Sequence, residues 1–189
     1  MAALAPALVR YNSDMEIIYT IGHSTRPIEE FIALLQAHNI ELLVDVRTVP
    51  HSRHNPQFEA DALRTSLSDA GITYAHMVAL GGLRHPHKDS INSGWRNESF
   101  RGYADYMQTA AFQAALNQLQ ELARQHTTAI MCAEAVPWRC HRSLIADALT
   151  VQGWQVLDII SDKPASEHKL TPFLKVEEDG RLTYPDEAQ

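Results

Sequence analysis

The strongest structural signal in the sequence is the run Ile40-Glu41-Leu42-Leu43-Val44-Asp45-Val46-Arg47. Its apolar residues are nearly continuous, which is typical of a strand that is buried on both faces of a parallel sheet. Asp45 and Arg47 introduce charge at the carboxyl end of the run. We therefore predict a parallel sheet in which this strand ends in polar residues.

Outward from this run, β-like and helix-like segments alternate along the whole chain. Four further segments read as strands: Glu16 to Ile21, Ile72 to Val78, Thr127 to Cys132 and Trp154 to Ile160. The segments between them have apolar residues at helical spacing. Such alternation predicts a single α/β domain with three layers, namely a mostly parallel sheet of about five strands with helices on both faces. We assign residues 15–189 to this domain and residues 1–14 to a flexible N-terminal tail.

Composition places further limits on the function. The 189 residues carry a formal net charge of −7, which disfavours a general nucleic-acid coat. No apolar run approaches the roughly 18 residues of a membrane span, and residues 1–14 lack the basic start of a signal peptide. Two cysteines do not form a disulfide framework, so we expect a reducing, cytoplasmic location and no membrane partner.

Polar clusters follow the first four predicted strands. His23 follows the first strand, Asp45 to Arg53 the second, Gly81 to Arg84 the third and Cys132 to Arg142 the fourth. Parallel strands end at the same edge of a sheet, and ligands bind in the crevice beyond those ends. The sequence therefore predicts that these distant segments converge on one site.

Arginine is the recurrent residue type in these clusters, and its planar fork suits phosphate or carboxylate groups. As an alternative, Arg47 could pair with Asp45 or Glu134 as an internal support. Gly81 and Gly82 could allow close backbone approach or a positive φ, or could form only a tight turn. The predicted substrate-binding residues are Arg47, Ser52, Arg53, Gly81, Gly82, Arg84, Arg139 and Arg142.

The predicted catalytic residues are Glu134, Cys140, His141 and His23. Glu134 with a histidine would form a proton-transfer set. Pro137 suits the first turn of a helix, so we expect Cys140 near a helix start, where the helix dipole and nearby cations favour a thiolate. Cys132 could be only a small core residue.

Several established motifs do not match. The sequence has no Gly-x-Gly-x-x-Gly or Walker pattern. A cysteine-phosphatase loop needs arginine six residues after the cysteine, and Trp138 occupies that position after Cys132. A zinc site that uses Cys132, Cys140 and a histidine lacks close cysteine pairing, so we assign no metal ligands. A disulfide between the two cysteines is sterically conceivable, but a reducing setting argues against its permanence.

One ordered set of short motifs is similar to a known family. Together, these motifs resemble the domain of unknown function 488 family from about Ile17 to His168. The resemblance implies a small cytoplasmic α/β protein and supplies no reaction, substrate or cofactor. The motifs are Ile21-Gly22-His23-Ser24, Asp45-Val46-Arg47 with Pro50 and Ser52, Leu80-Gly81-Gly82, Cys132-Ala133-Glu134 and Cys140-His141-Arg142.

Three functional hypotheses remain open from the sequence. The leading one is an enzyme with a crevice for a small anionic or nucleotide-like substrate, with the reaction and any cofactor unassigned. The second is a non-catalytic module that binds a nucleotide or a nucleic-acid end, with Trp95, Phe100 or Tyr103 stacking on a base. The third is a metal-dependent enzyme that uses the cysteines and histidines.

Overall fold

Six strands form the central sheet of the computed structural model, which describes residues 15–186. Their order across the sheet is β3-β2-β4-β1-β5-β6, with the first five parallel and β6 antiparallel to β5. The mostly parallel α/β architecture is thus confirmed. The strands are β1 (Ile17–Gly22), β2 (Leu42–Asp45), β3 (Thr73–His76), β4 (Thr128–Cys132), β5 (Gln155–Ile159) and β6 (Ser166–Glu167).

Five helices cover the two faces of the sheet. They are α1 (Ile28–Ala37), α2 (Ala60–Asp69), α3 (Glu98–Tyr106), α4 (Ala110–Gln125) and α5 (Arg142–Val151). Alternate residues of each strand enter different cores: Leu43 packs with α1 and α2, whereas Leu42 and Val44 pack with α3, α4 and α5. The near-continuous apolar run is therefore explained by burial on both faces.

The chain reverses its direction across the sheet after β3. From β1 to β3 it moves one way with α1 and α2 on one face; it then returns through β4 to β5 with α4 and α5 on the other. The connection after β4 therefore leaves to the opposite face from those after its neighbours β1 and β2. Ligand crevices form where adjacent connections diverge in this way.

Several boundaries differ from the sequence prediction. Pro137 begins a single 3-10 turn, Pro137–Arg139, whereas α5 begins only at Arg142, so the prediction that Pro137 opens this helix was wrong. Beyond the five predicted strands, a two-residue strand, β7 (Lys175–Val176), pairs with β8 (Leu182–Thr183) in a separate hairpin. The predicted tail of residues 1–14 lies outside the described residues.

The long segment between β3 and α3 is held in place by buried polar groups. Asp105 of α3 accepts hydrogen bonds from the His87 amide, the Ser90 hydroxyl and the Asn92 side chain. Asn92, which is fully buried, accepts in turn from the Tyr184 amide at 2.9 Å. These bonds fasten the segment to the C-terminal part of the chain. No helix within residues 15–186 has the length and apolar character needed to cross a membrane.

Candidate functional site

A crevice of about 430 Å³ lies at the carboxyl edge of the sheet, where the connections after β1, β2 and β4 meet. Eight of the twelve residues predicted as site residues line it. They include all four predicted catalytic residues, Glu134, Cys140, His141 and His23, together with Arg47, Ser52, Gly82 and Arg139. The tertiary structure thus brings together side chains from four separate segments.

Arg47 is held against the sheet by Asp45. Its Nε and Nη2 donate to both carboxylate oxygens of Asp45, the shortest distance being 2.6 Å, and both side chains are buried. Tyr74 also donates to Asp45, and burial, together with this carboxylate, raises the pKa of Tyr74. Because Asp45 occupies one side of the guanidinium, the other side, Nη1, is directed toward His23. Most of the hydrogen bonds of Arg47 therefore fit the alternative in which this arginine pairs with Asp45 as an internal support.

His23 is a neutral side chain with a defined tautomer. Nδ1 lies 2.7 Å from the carbonyl oxygen of Ser24 and must carry the proton, since a carbonyl can only accept. Nε2 then faces Arg47 Nη1 at 3.5 Å as the acceptor. Burial, assisted by Arg47, lowers the pKa of His23 to about 4. The ring also stacks on Phe58 at a centroid distance of 4.3 Å.

A hydrogen bond to a main-chain carbonyl oxygen likewise orients the ring of His141. Nε2 lies 3.0 Å from the carbonyl oxygen of Val46, so Nε2 carries the proton. The lone pair of Nδ1 then faces the sulfur of Cys140 at 3.6 Å. Burial lowers the pKa of His141 to about 4, which keeps the ring neutral near pH 7. The ring can therefore accept a proton from a Cys140 thiol.

Cys132 and Cys140 are paired as a disulfide, with their Cα atoms 7.3 Å apart. Cys132 ends β4 and Cys140 precedes α5, so the pair joins the two ends of the segment 133–139. The guanidinium of Arg142 lies behind it, with Nη1 2.8 Å from the Cys132 sulfur and 2.8 Å from the Glu134 carbonyl oxygen. Arg142 is 1% exposed, and burial lowers its pKa to about 10, so it remains charged at neutral pH.

Glu134 and Arg139 are the exposed charges of the crevice wall. Among residues 15–186, neither side chain forms an ion pair or a hydrogen bond with another protein group. They also do not pair with each other. Both are thus unpaired, whereas the guanidinium groups of Arg47 and Arg142 are bonded to other protein groups.

Gly81 and Gly82 serve close packing between loops. Neither has a positive φ; in this segment the positive φ belongs to Leu83. A Cβ on Gly81 would lie 2.6 Å from Thr48 Oγ1, and one on Gly82 would lie 2.9 Å from His141 Nδ1. The two glycines therefore let the segment after β3 approach the segment after β2 and the ring of His141.

Three of the predicted arginines lie outside the crevice lining: the buried Arg142, and also Arg53 and Arg84. Arg53 is exposed on the loop after β2. Arg84 stacks on the ring of Tyr106 at 3.7 Å from the centroid and donates to the Gly81 carbonyl oxygen. The sequence predicts Arg53 and Arg84 as substrate-binding residues because both follow a strand. The direction of a side chain after a strand, however, depends on the conformation of the loop.

A second pocket, of about 590 Å³, lies on the other side of the Pro137–Arg139 turn. Its walls include Trp95, Trp138 and Phe173, and Trp95 stacks on Phe100, which lines the first crevice. The pocket is rich in aromatic side chains and therefore suits a planar apolar group.

A buried charge network beneath the second pocket was missed from the sequence. His168 lies 2.8 Å from Asp147 and 3.6 Å from Asp158, and these carboxylates, against the opposing effect of burial, raise its pKa to about 9. Asp158 accepts from Thr20, which accepts from Arg142. The two carboxylates are separated by 11 residues, so the sequence carried no local signal for this cluster.

No three His, Cys, Asp or Glu side chains within residues 15–186 are arranged so as to hold a metal ion. The sequence model of the family described as "Domain of unknown function DUF488" matches residues 27–149, about two-thirds of the chain. The chain belongs to the DUF488 family. No curated protein and no solved structure matches it.

The DUF488 match covers most of the crevice. It begins after His23 and ends within α5, so it contains Asp45, Arg47, Glu134, Cys140 and His141. The matched range is shorter at both ends than the resemblance seen from the motifs, since it excludes β1 and β5. The DUF488 description names no reaction, so the function rests on the site itself.

Proposed function

We propose that the protein is an enzyme whose active site is the edge crevice and which acts on a small anionic, nucleotide-like substrate in the cytoplasm. The observation that carries the proposal is that Glu134 and Arg139 line one crevice while neither is paired with a protein group within residues 15–186. An unpaired cation and an unpaired carboxylate in the same crevice suit anion binding combined with proton transfer.

In this proposal Arg139 binds the anionic group, and Arg47 contributes the Nη1 side that Asp45 leaves open. Asp45 fixes the orientation of Arg47, so little side-chain entropy is lost when a ligand binds. Glu134 moves a proton to or from the substrate. His141 accepts the proton of a Cys140 thiol when that cysteine acts as a nucleophile. His23 orients Arg47.

The nucleotide-like part of the proposal is supported by the second pocket. Trp138 belongs to this pocket and Arg139 to the crevice, so consecutive residues of one turn face the two spaces. An aromatic ring could stack in the second pocket while its anionic group contacts Arg139. Stacking on aromatic side chains contributes about 1–3 kcal/mol per base.

Titration calorimetry with inorganic phosphate and a nucleoside monophosphate tests the anion site. Arg139→Ala should weaken binding by about tenfold or more, the usual effect of losing one hydrogen bond to a charged group. Arg53→Ala is the matched control, because Arg53 is an exposed arginine on a neighbouring loop outside the crevice lining. Equal effects of the two substitutions would contradict the assignment.

The runner-up is a binding module that uses the arginines without catalysis. Glu134→Gln discriminates the two, because it removes the proton-transfer group and keeps the side-chain shape. Binding retained with turnover lost supports an enzyme, whereas arginine-dependent binding with no turnover in the unmodified protein supports the module. Elemental analysis of protein purified without chelator or a histidine tag tests the metal-dependent alternative.

A further inference from the structure

The two cysteines differ in access to the crevice. Both cysteines are buried, with Cys140 5% and Cys132 2% exposed, but Cys140 lines the crevice and Cys132, at the end of a central strand, does not. A thiolate that enters the crevice therefore meets the sulfur of Cys140 first. Thiol–disulfide exchange depends on which sulfur can be attacked and on how well the other leaves as a thiolate.

Arg142 provides the stabilisation that a leaving thiolate needs. Its Nη1 is 2.8 Å from the sulfur of Cys132 and also donates to the Glu134 carbonyl oxygen, while Nε and Nη2 donate to the neutral oxygens of Thr20 and Ala135. No carboxylate of residues 15–186 forms an ion pair with this buried guanidinium. A Cys132 thiolate would supply the missing counter-charge directly.

Other charged groups influence Arg142 without forming an ion pair with it. Asp158 reaches Arg142 only through Thr20, and Glu134 and Arg26 influence Arg142 without an ion pair to it. On the other side, the neutral ring of His141 faces Cys140, not Cys132. The pair is therefore asymmetric: a proton acceptor lies beside Cys140, and a buried cation lies beside Cys132.

We propose that Cys132 and Cys140 form a reversible thiol–disulfide pair that exchanges with a small-molecule thiol, with Cys140 as the attacked sulfur and Cys132 as the leaving thiolate. The thiolate of one small-molecule thiol bonds to the Cys140 sulfur, and the bond to Cys132 breaks with its electron pair remaining on Cys132. The thiolate of a second small-molecule thiol then attacks the first, so that the two small molecules leave as a disulfide and Cys140 is released as a thiolate. In the reverse direction a small-molecule disulfide oxidises the pair, and His141 Nδ1 accepts the proton of Cys140.

This exchange goes beyond the proposed function and does not depend on it. The pair does, however, join the two ends of the segment 133–139, which carries Glu134 and Arg139. Exchange at this pair therefore changes the tether of the crevice wall that bears both exposed charges.

The attacked sulfur is tested with single-cysteine variants and oxidised glutathione. Intact mass measured over time should show a mixed disulfide on Cys140 in Cys132→Ser. In Cys140→Ser, the mixed disulfide on the buried Cys132 should form at a rate lower by about tenfold or more. Equal rates, or a faster reaction at Cys132, would overturn the assignment of the attacked sulfur.

The role of Arg142 is tested by the equilibrium between dithiol and disulfide in glutathione buffers. Arg142→Met should lower the equilibrium constant for reduction by about tenfold or more, and Arg142→Lys should restore part of it. Arg84→Met is the control, because Arg84 stacks on Tyr106 and contacts neither sulfur. Circular dichroism establishes that each variant is folded.

Two measurements keep the proposal falsifiable if Arg142→Met does not fold. Arg142→Lys in the Cys140→Ser background should lose the ultraviolet absorbance of the Cys132 thiolate at higher pH than the Cys140→Ser parent does. The unmodified protein should change between dithiol and disulfide within the range of glutathione buffers. A pair that stays reduced or stays oxidised across that range refutes the exchange, whatever the outcome of the ligand-binding experiments.

Discussion

Gly22 at the end of β1 lies against the main chain of Glu134 after β4, so closely that a Cβ on Gly22 would be 1.7 Å from the Glu134 carbonyl oxygen. The same oxygen accepts a hydrogen bond from Arg142 at 2.8 Å. The crevice wall that carries Glu134 is therefore held between a glycine and a buried guanidinium. No other residue type fits at position 22.

Gly22→Ala should destabilise the protein by at least about 3 kcal/mol, the upper part of the range for overpacking, because backbone must move. Urea denaturation followed by circular dichroism measures this. Gly82→Ala is the matched control: the three atoms nearest its Cβ all belong to the side chain of His141 and none to the main chain, so this substitution should cost less, about 1 kcal/mol. Comparable losses for the two variants would show that the Glu134 main chain is not restrained as described.

Acid should destabilise the protein through His23 and His141. Their pKa is about 4 in the folded protein and about 6.5 when unfolded, so the unfolded chain binds more protons between these values. Their contribution is present above pH 6.5 and is lost as pH falls toward 4. Each histidine should account for up to about 3 kcal/mol, since one pKa unit corresponds to about 1.4 kcal/mol.

Urea denaturation at a series of pH values tests the acid effect. His23→Gln and His141→Gln should each reduce the slope of unfolding free energy against pH in this window by up to about 1.4 kcal/mol per pH unit. His54→Gln is the control, because His54 is exposed on the loop after β2 and does not line the crevice. Unchanged slopes in both test variants would be inconsistent with buried neutral rings.

His168 should make the protein less stable as pH rises, in contrast to His23 and His141. Its pKa is raised to about 9, with Asp147 and Asp158 holding the proton on the ring, so it stabilises the fold fully below pH 6.5. This contribution, about 3 kcal/mol from the size of the shift, is lost as pH rises through 9. Thermal unfolding between pH 6 and 10 should show this loss in the parent protein, and a flatter profile in His168→Gln would confirm its origin.

Arg84 should matter for stability and not for ligand affinity. Arg84→Ala removes the guanidinium that stacks on Tyr106 and should cost about 0.5–2 kcal/mol. Phosphate affinity measured by calorimetry should stay within about twofold of the parent value, in contrast to the effect of Arg139→Ala. A large loss of affinity in a folded Arg84→Ala protein would mean that Arg84 reaches the ligand.

Much of the architecture could be predicted because it depends on local pattern. The apolar run of β2 required burial on both faces, and alternation of strands with helices required a parallel sheet. Convergence of the clusters near His23, Arg47 and Glu134 followed from the common direction of the strands. By contrast, the prediction that Pro137 begins α5 was wrong, because proline suits the first position of a 3-10 turn as well as that of an α-helix.

The sequence by itself determined the fold class, the DUF488 motifs and the edge of the sheet at which polar residues gather. Only the tertiary structure decided which side chains are free there. Arg47 and Arg139 are the same residue type after neighbouring strands, yet Asp45 engages one and no described side chain engages the other. The pairing of Cys132 with Arg142 and of His168 with two carboxylates likewise depends on contacts across the sheet, which residue spacing does not encode.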